Sequence, residues 1–63
     1  MLKVLRPSDV GVRTNLGALY HMLGDVNNAL LEYNEAMKLD PTDSVLRGNM
    51  VRLQRVMTRR TAL

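Results

Sequence analysis

The chain contains no cysteine, no tryptophan and no phenylalanine, and only one histidine and two prolines among its 63 residues. Without cysteine there is no disulfide and no thiolate metal site, which fits a reducing compartment such as the cytoplasm. A lone His21, with no histidine partner at metal-ligand spacing, gives a metal little to bind. His21 and Asp25 stand four apart, but Gly24 lies between them and is expected to end the helix they would need to share. Nor is there a glycine-rich phosphate loop. No catalytic residue, metal or cofactor is therefore expected, and the chain reads as a non-enzyme.

Other absences narrow the fold. The apolar residues are leucine, valine, methionine and alanine, with Tyr20 and Tyr33 as the aromatics, a palette that favours packed helices over a β-sandwich. No apolar run approaches the roughly 20 residues that span a bilayer. The opening MLKVLRP is too short and too interrupted to be a secretory signal.

What is present is a chain 46% hydrophobic, too much for a disordered tail, with a modest net charge of +3. A single core in so short a chain is marginal. With no disulfide and no metal, added stability is expected from self-association or from membership of a longer chain.

Pro7, the Gly24-Asp25 pair and Pro41 punctuate the sequence into three segments. The first, from about residue 9 to 23, carries Val12, Leu16, Leu19, Tyr20 and Leu23 at steps of three and four. The second, about 26 to 39, carries Val26, Ala29, Leu30, Tyr33, Ala36, Met37 and Leu39. The third, from about residue 43 to 58, carries Val45, Leu46, Met50, Leu53, Val56 and Met57. All three have the helical period. Gly24 is suited to a left-handed helix end and Asp25 to the next cap. Ser8, Thr42 and Ser44 offer hydroxyls at helix starts, and Asp9 and Asp43 suit the positive end of the helix dipole.

The sequence also echoes itself at a displacement of 34 residues. Leu5-Arg6-Pro7-Ser8-Asp9 aligns with Leu39-Asp40-Pro41-Thr42-Asp43. Farther on, Val12 falls on Leu46, Arg13 on Arg47, Asn15 on Asn49, Leu16 on Met50 and Leu19 on Leu53. A fixed period of this size is the mark of stacked repeats.

Leu16-Gly17, Tyr20, Gly24, Ala29, Tyr33, Ala36 and Pro41 resemble the signature of the tetratricopeptide repeat (TPR) family, with Arg13 where the signature tryptophan would stand. The resemblance implies an all-α helical hairpin plus a third helix, a TPR-like α-solenoid fragment. It implies that Gly17 and Ala29 lie where the two helices touch, that Ala36 faces the next helix, and that the tyrosines fill the wider gaps. Residues 1–9 would be the tail of a preceding repeat or a linker. Residues 10–43 would be one repeat, with helices over about 9–23 and 26–39. Residues 44–63 would be a capping helix with a basic tail, and the whole is expected to close a longer array.

The resemblance also implies a concave groove that takes a peptide or a partner helix. By alignment its wall comprises Gly11, Thr14, Ala18, His21 and Met22, then Val45, Gly48, Arg52, Arg55 and Val56. Arg52 and Arg55 could hold carboxylates through charge-assisted bonds, or merely solubilise an exposed helix. The carboxylate clamp found in one branch of the family is not built here. Thr14, Ala18, Val45 and Asn49 stand where its lysine, asparagine and arginine would be needed.

The third segment and its tail carry Arg47, Arg52, Arg55, Arg59 and Arg60, with no acid after Asp43. No aromatic residue is interleaved, so single-stranded nucleic acid lacks a stacking platform. Such a helix is ordinarily a solvated face, although phosphates or an anionic surface would suit it. The ending Thr61-Ala62-Leu63 also resembles a short motif read by PDZ domains, if Leu63 is a native terminus. The expected function is a protein-interaction scaffold that binds a peptide or helix. Its partners would be a protein, an array neighbour or a second copy, rather than nucleic acid or membrane. The alternative is an anion-binding adaptor acting through the third helix.

Overall fold

Two corners rich in local hydrogen bonds cut the chain into three helices: α1 (Val10–Met22), α2 (Val26–Leu39) and α3 (Ser44–Thr61). The computed structural model describes residues 10–61. Among them there is no strand, so the fold is all-α. Ser8, Asp9 and the last two residues of the Thr61-Ala62-Leu63 ending lie outside the described residues, as does the whole 1–9 segment.

The first corner is closed by backbone geometry. The Asp25 amide donates to the Tyr20 carbonyl at 2.9 Å, and the Gly24 amide to the His21 carbonyl at 3.0 Å. This paired closure needs one left-handed residue, and Gly24 supplies it at φ 79°. Asp25 then caps α2, accepting the Asn28 amide on one carboxylate oxygen at 3.2 Å and the Asn28 side chain on the other at 2.7 Å.

The second corner differs in detail from the sequence expectation. Asp43 caps α3, its Oδ1 accepting the Leu46 amide at 2.9 Å. Thr42 does not contribute a capping hydroxyl; both its amide and its hydroxyl donate to Asp40 Oδ1, at 3.0 and 2.6 Å. The reason is positional: the capping oxygen comes from the residue immediately before the helix, which is Asp43. Ser44 is already the first residue of α3. The Thr42 side chain, and then its amide, hold the Asp40 carboxyl below its ordinary range.

α2 sits in the middle. Its Ala29, Tyr33 and Ala36 are fully buried, together with Leu46 and Leu53 of α3. Tyr20, Leu30, Met37, Met50 and Met57 lie half-buried around them. Each fully buried leucine is worth about 1.5–3 kcal/mol relative to exposure, so Leu46 and Leu53 are the main anchors of α3.

α1 is fixed differently, by close approach. A Cβ built on Gly17 would lie 2.5 Å from Tyr33 Cδ1 and 3.0 Å from Cζ. The aromatic ring therefore rests directly on the backbone of α1. Arg13 adds a half-buried ion pair across the same interface, its guanidinium 3.0 Å from Glu32 Oε1. α1 has two glycines, a threonine and an asparagine within 13 residues. Such a sequence is a poor isolated helix, so its order comes from packing.

Gly17 and Gly48 should respond in opposite directions. Gly17→Ala forces the Tyr33 ring to move and should cost about 1–3 kcal/mol, as overpacking does. At Gly48 a Cβ meets nothing within 4 Å. Gly48→Ala should therefore stabilise by about 0.5–1 kcal/mol through helix propensity. Urea unfolding followed by circular dichroism separates the two; a Gly17→Ala chain as stable as the parent would refute the close contact.

Candidate partner-binding site

α1 and α3 meet beside the start of each helix, and between them lies a depression of about 200 Å³. Gly11, Thr14, Asn15, Asp43 and Val45 line it. Gly11 offers backbone without a side chain, and Val45 is an exposed apolar wall. Thr14 is only 4% exposed, and its hydroxyl donates to the Val10 carbonyl at 2.7 Å. Its one hydroxyl proton is thus spent within the helix. Asp43 is half-buried and gives an oxygen to the α3 cap. The exposed Asn15 brings a side-chain amide that can both donate and accept. The lining thus combines the Val45 side chain and the Gly11 backbone with the Asn15 amide and the Asp43 carboxyl.

The other residues expected on the groove wall are placed as follows. Ala18 and His21 are half-buried on α1, and Met22 is exposed at its end. Gly48 and Val56 are half-buried on α3, with open space before Gly48. Arg52 is exposed and donates from its guanidinium to the Asn49 side-chain oxygen. Arg55 belongs to a different depression, of about 430 Å³, with Val51, Gln54, Thr58 and Arg59. The aligned positions are thus divided: Gly11, Thr14 and Val45 come together, whereas Arg55 opens elsewhere. Burial of Leu46 and Leu53 sets the rotation of α3, and Arg55 lies two residues past Leu53, about 200° around the helix.

Among the residues that resemble the repeat signature, Gly17, Ala29, Tyr33 and Ala36 are buried and Tyr20 is half-buried. Leu16, Gly24 and Pro41 are exposed. Sequence reasoning missed two features. The Arg13–Glu32 pair joins residues 19 apart, and no local pattern announces it. The meeting of Asn15 and Asp43 in one depression depends on how α1 and α3 are juxtaposed, which neither residue's local context discloses. Among the described residues, no group of three histidine, cysteine, aspartate or glutamate side chains could hold a metal ion. No described helix is long and apolar enough to cross a membrane.

One titration reports on the packing. Burial raises the Tyr33 phenol above its ordinary value of 10.0, while the nearby Arg52 cation lowers it in part. A raised folded-state value stabilises the fold fully below the unfolded value and is lost as pH rises through the folded one. Stability should therefore fall above about pH 10, where the unfolded chain ionises first. Tyr33→Phe should lack that contribution, so thermal unfolding of both chains between about pH 9 and 11 should show a shallower decline in the variant.

No protein-family model, curated protein or solved structure matches this sequence.

Proposed function

We propose that this chain is a non-enzymatic protein-interaction module of the TPR type. In this reading α1 and α2 form one repeat, α3 closes it, and a peptide or partner helix binds between α1 and α3. The observation that carries the reading is the depression lined by Gly11, Thr14, Asn15, Asp43 and Val45. Three of those residues, Gly11, Thr14 and Val45, are groove positions in the family alignment, and they come from two helices distant in sequence. The placement of Gly17 against Tyr33, with Ala29 and Ala36 buried beside it, supports the repeat assignment.

The second reading, an anion-binding adaptor, draws on the face of α3 that carries Arg55 and Arg59. Neither arginine makes an ion pair among the described residues. Two exposed guanidiniums beside Gln54 and Thr58 suit a phosphate or carboxylate.

A random peptide library displayed on phage and panned against the full chain discriminates the two. The interaction module predicts that selected peptides lose at least tenfold affinity for Val45→Glu and for Gly48→Gln. It also predicts that they retain affinity for Arg55→Glu. Both substituted groove sites are accessible, so the fold should persist, and circular dichroism checks it. Selected peptides that are uniformly acidic, bind less as salt rises and fail on Arg55→Glu or Arg59→Glu would favour the adaptor instead.

A further inference from the structure

The depression between α1 and α3 is rich in hydrogen-bond acceptors and poor in donors. Of the described residues that line it, Asp43 alone has an ionisable side chain, and it is half-buried. Its Oδ1 accepts the Leu46 amide at 2.9 Å. Among the described residues its Oδ2 takes no hydrogen bond and no cation, and Arg47, one turn farther along α3, is not paired with it. Thr14 is 4% exposed and sends its hydroxyl proton to the Val10 carbonyl at 2.7 Å. What its oxygen offers the depression is therefore a lone pair. Asn15, exposed at the rim, adds a side-chain carbonyl oxygen. Val45, 65% exposed, forms an apolar wall beside these oxygens.

We infer that this depression is a site for the side chain of a lysine in a bound peptide segment, with the ammonium at Asp43, Asn15 and Thr14 and the stem along Val45. An ammonium has three donors and no acceptor, and three acceptor oxygens on three residues match it in number. Arginine matches less well. Its planar fork is best met by both oxygens of one carboxylate, and one oxygen of Asp43 is already engaged by the α3 cap. A carboxylate or phosphate would bring more lone pairs to a place that has a surplus, and would face Asp43 as a like charge. The lysine stem is apolar and covers Val45, which is otherwise left in water.

The starts of α1 and α3 each carry roughly half a positive charge, so the attraction is local: it resides in the acceptors and not in a broad negative field. Two of those acceptors are already positioned, Asp43 by the cap it makes and Thr14 by its bond to Val10. A lysine arriving there meets them with little further ordering. The preference is opposite in sign to that of the carboxylate clamp in one branch of the family. The inference rests on the groove reading and adds to it the chemistry of the side chain that the groove selects.

The test is an NMR titration of the full, isotope-labelled chain with acetylated and amidated peptides of the form Gly-Ala-Ser-X-Ala-Ser-Gly, in which X is lysine, arginine, norleucine or glutamate. The lysine peptide is expected to shift the amides of Asn15 and Val45. It should bind about tenfold tighter than the norleucine and glutamate peptides, the worth of a charge-assisted hydrogen bond, with arginine between. Asp43→Asn keeps a capping oxygen for α3, because asparagine caps about as well as aspartate, so the unfolding midpoint should hold while the preference for lysine over norleucine disappears. Butylamine, which carries the stem and the ammonium without a peptide, should bind more weakly than the lysine peptide. Equal binding of the lysine and norleucine peptides at these amides would overturn the lysine site and leave the groove standing. No shift of these amides with any peptide would overturn both. A lysine preference that survives Asp43→Asn would put the cation elsewhere and overturn the inference. Butylamine as tight as the peptide would make a small amine the ligand, and the assigned occupant would be wrong.

Discussion

The ring of Tyr33 lies where a side chain on residue 17 would otherwise be, and the α1–α2 seam at the centre of the fold follows from that contact. With no Cβ at position 17, α1 can come down onto the aromatic ring. α2 is then buried along Ala29, Tyr33 and Ala36, with Leu30 and Met37 half-buried beside the core they share with Leu46 and Leu53 of α3. A larger residue at 17 would lever α1 away from α2 and weaken the Arg13–Glu32 pair that spans the same seam. The seam is thus held by shape first and by charge second, which is the order expected when the ion pair is only partly shielded from water.

Because α2 is central, the two outer helices expose what they do not share with it. α1 shows water a stripe of leucines, and α3 shows a face of arginines with Val51 among them. Scattered exposed leucines are ordinary on small proteins, but three at helical spacing on one side are not scattered. The outer faces thus differ in chemistry, apolar on α1 and cationic on α3, and the α1–α3 depression lies between them, with a wall from each helix.

The sequence was most readable where one or two neighbouring residues decide the outcome. Gly24 and Asp25 end one helix and start the next through bonds no longer than five residues, and both roles follow from residue type. The small residues at 17, 29 and 36 were readable for a different reason: their spacing fits a helical hairpin whose backbones touch. Legibility fell off where the answer depends on rotation of one helix about its own axis. Arg52 and Arg55 look equivalent in the alignment, yet the burial of Leu46 and Leu53 turns Arg55 toward a separate depression. The choice between Thr42 and Asp43 as the cap of α3 was likewise a contest between adjacent oxygens. Asp43, immediately before α3, takes the cap by position, and Thr42 gives its hydroxyl to Asp40.

The weakness of α1 as an isolated helix ties its two sides together. Its glycines, Thr14 and Asn15 give little intrinsic helix stability, so the helix persists through what is packed against it. The leucine stripe and the residues Gly11, Thr14 and Asn15 of the depression are therefore held by the same marginal element. Anything that binds the folded α1 and not its unfolded form shifts that element toward order by mass action. A ligand on either side would then lower the ordering cost met by a ligand on the other, a positive coupling that needs no rearrangement of the helices. α3 stands outside that linkage to a large degree, since its seat on α2 rests on Leu46 and Leu53. The fold thus combines an extensive α1–α2 seam, on which the order of α1 depends, with a smaller α3 seat on α2 anchored by Leu46 and Leu53.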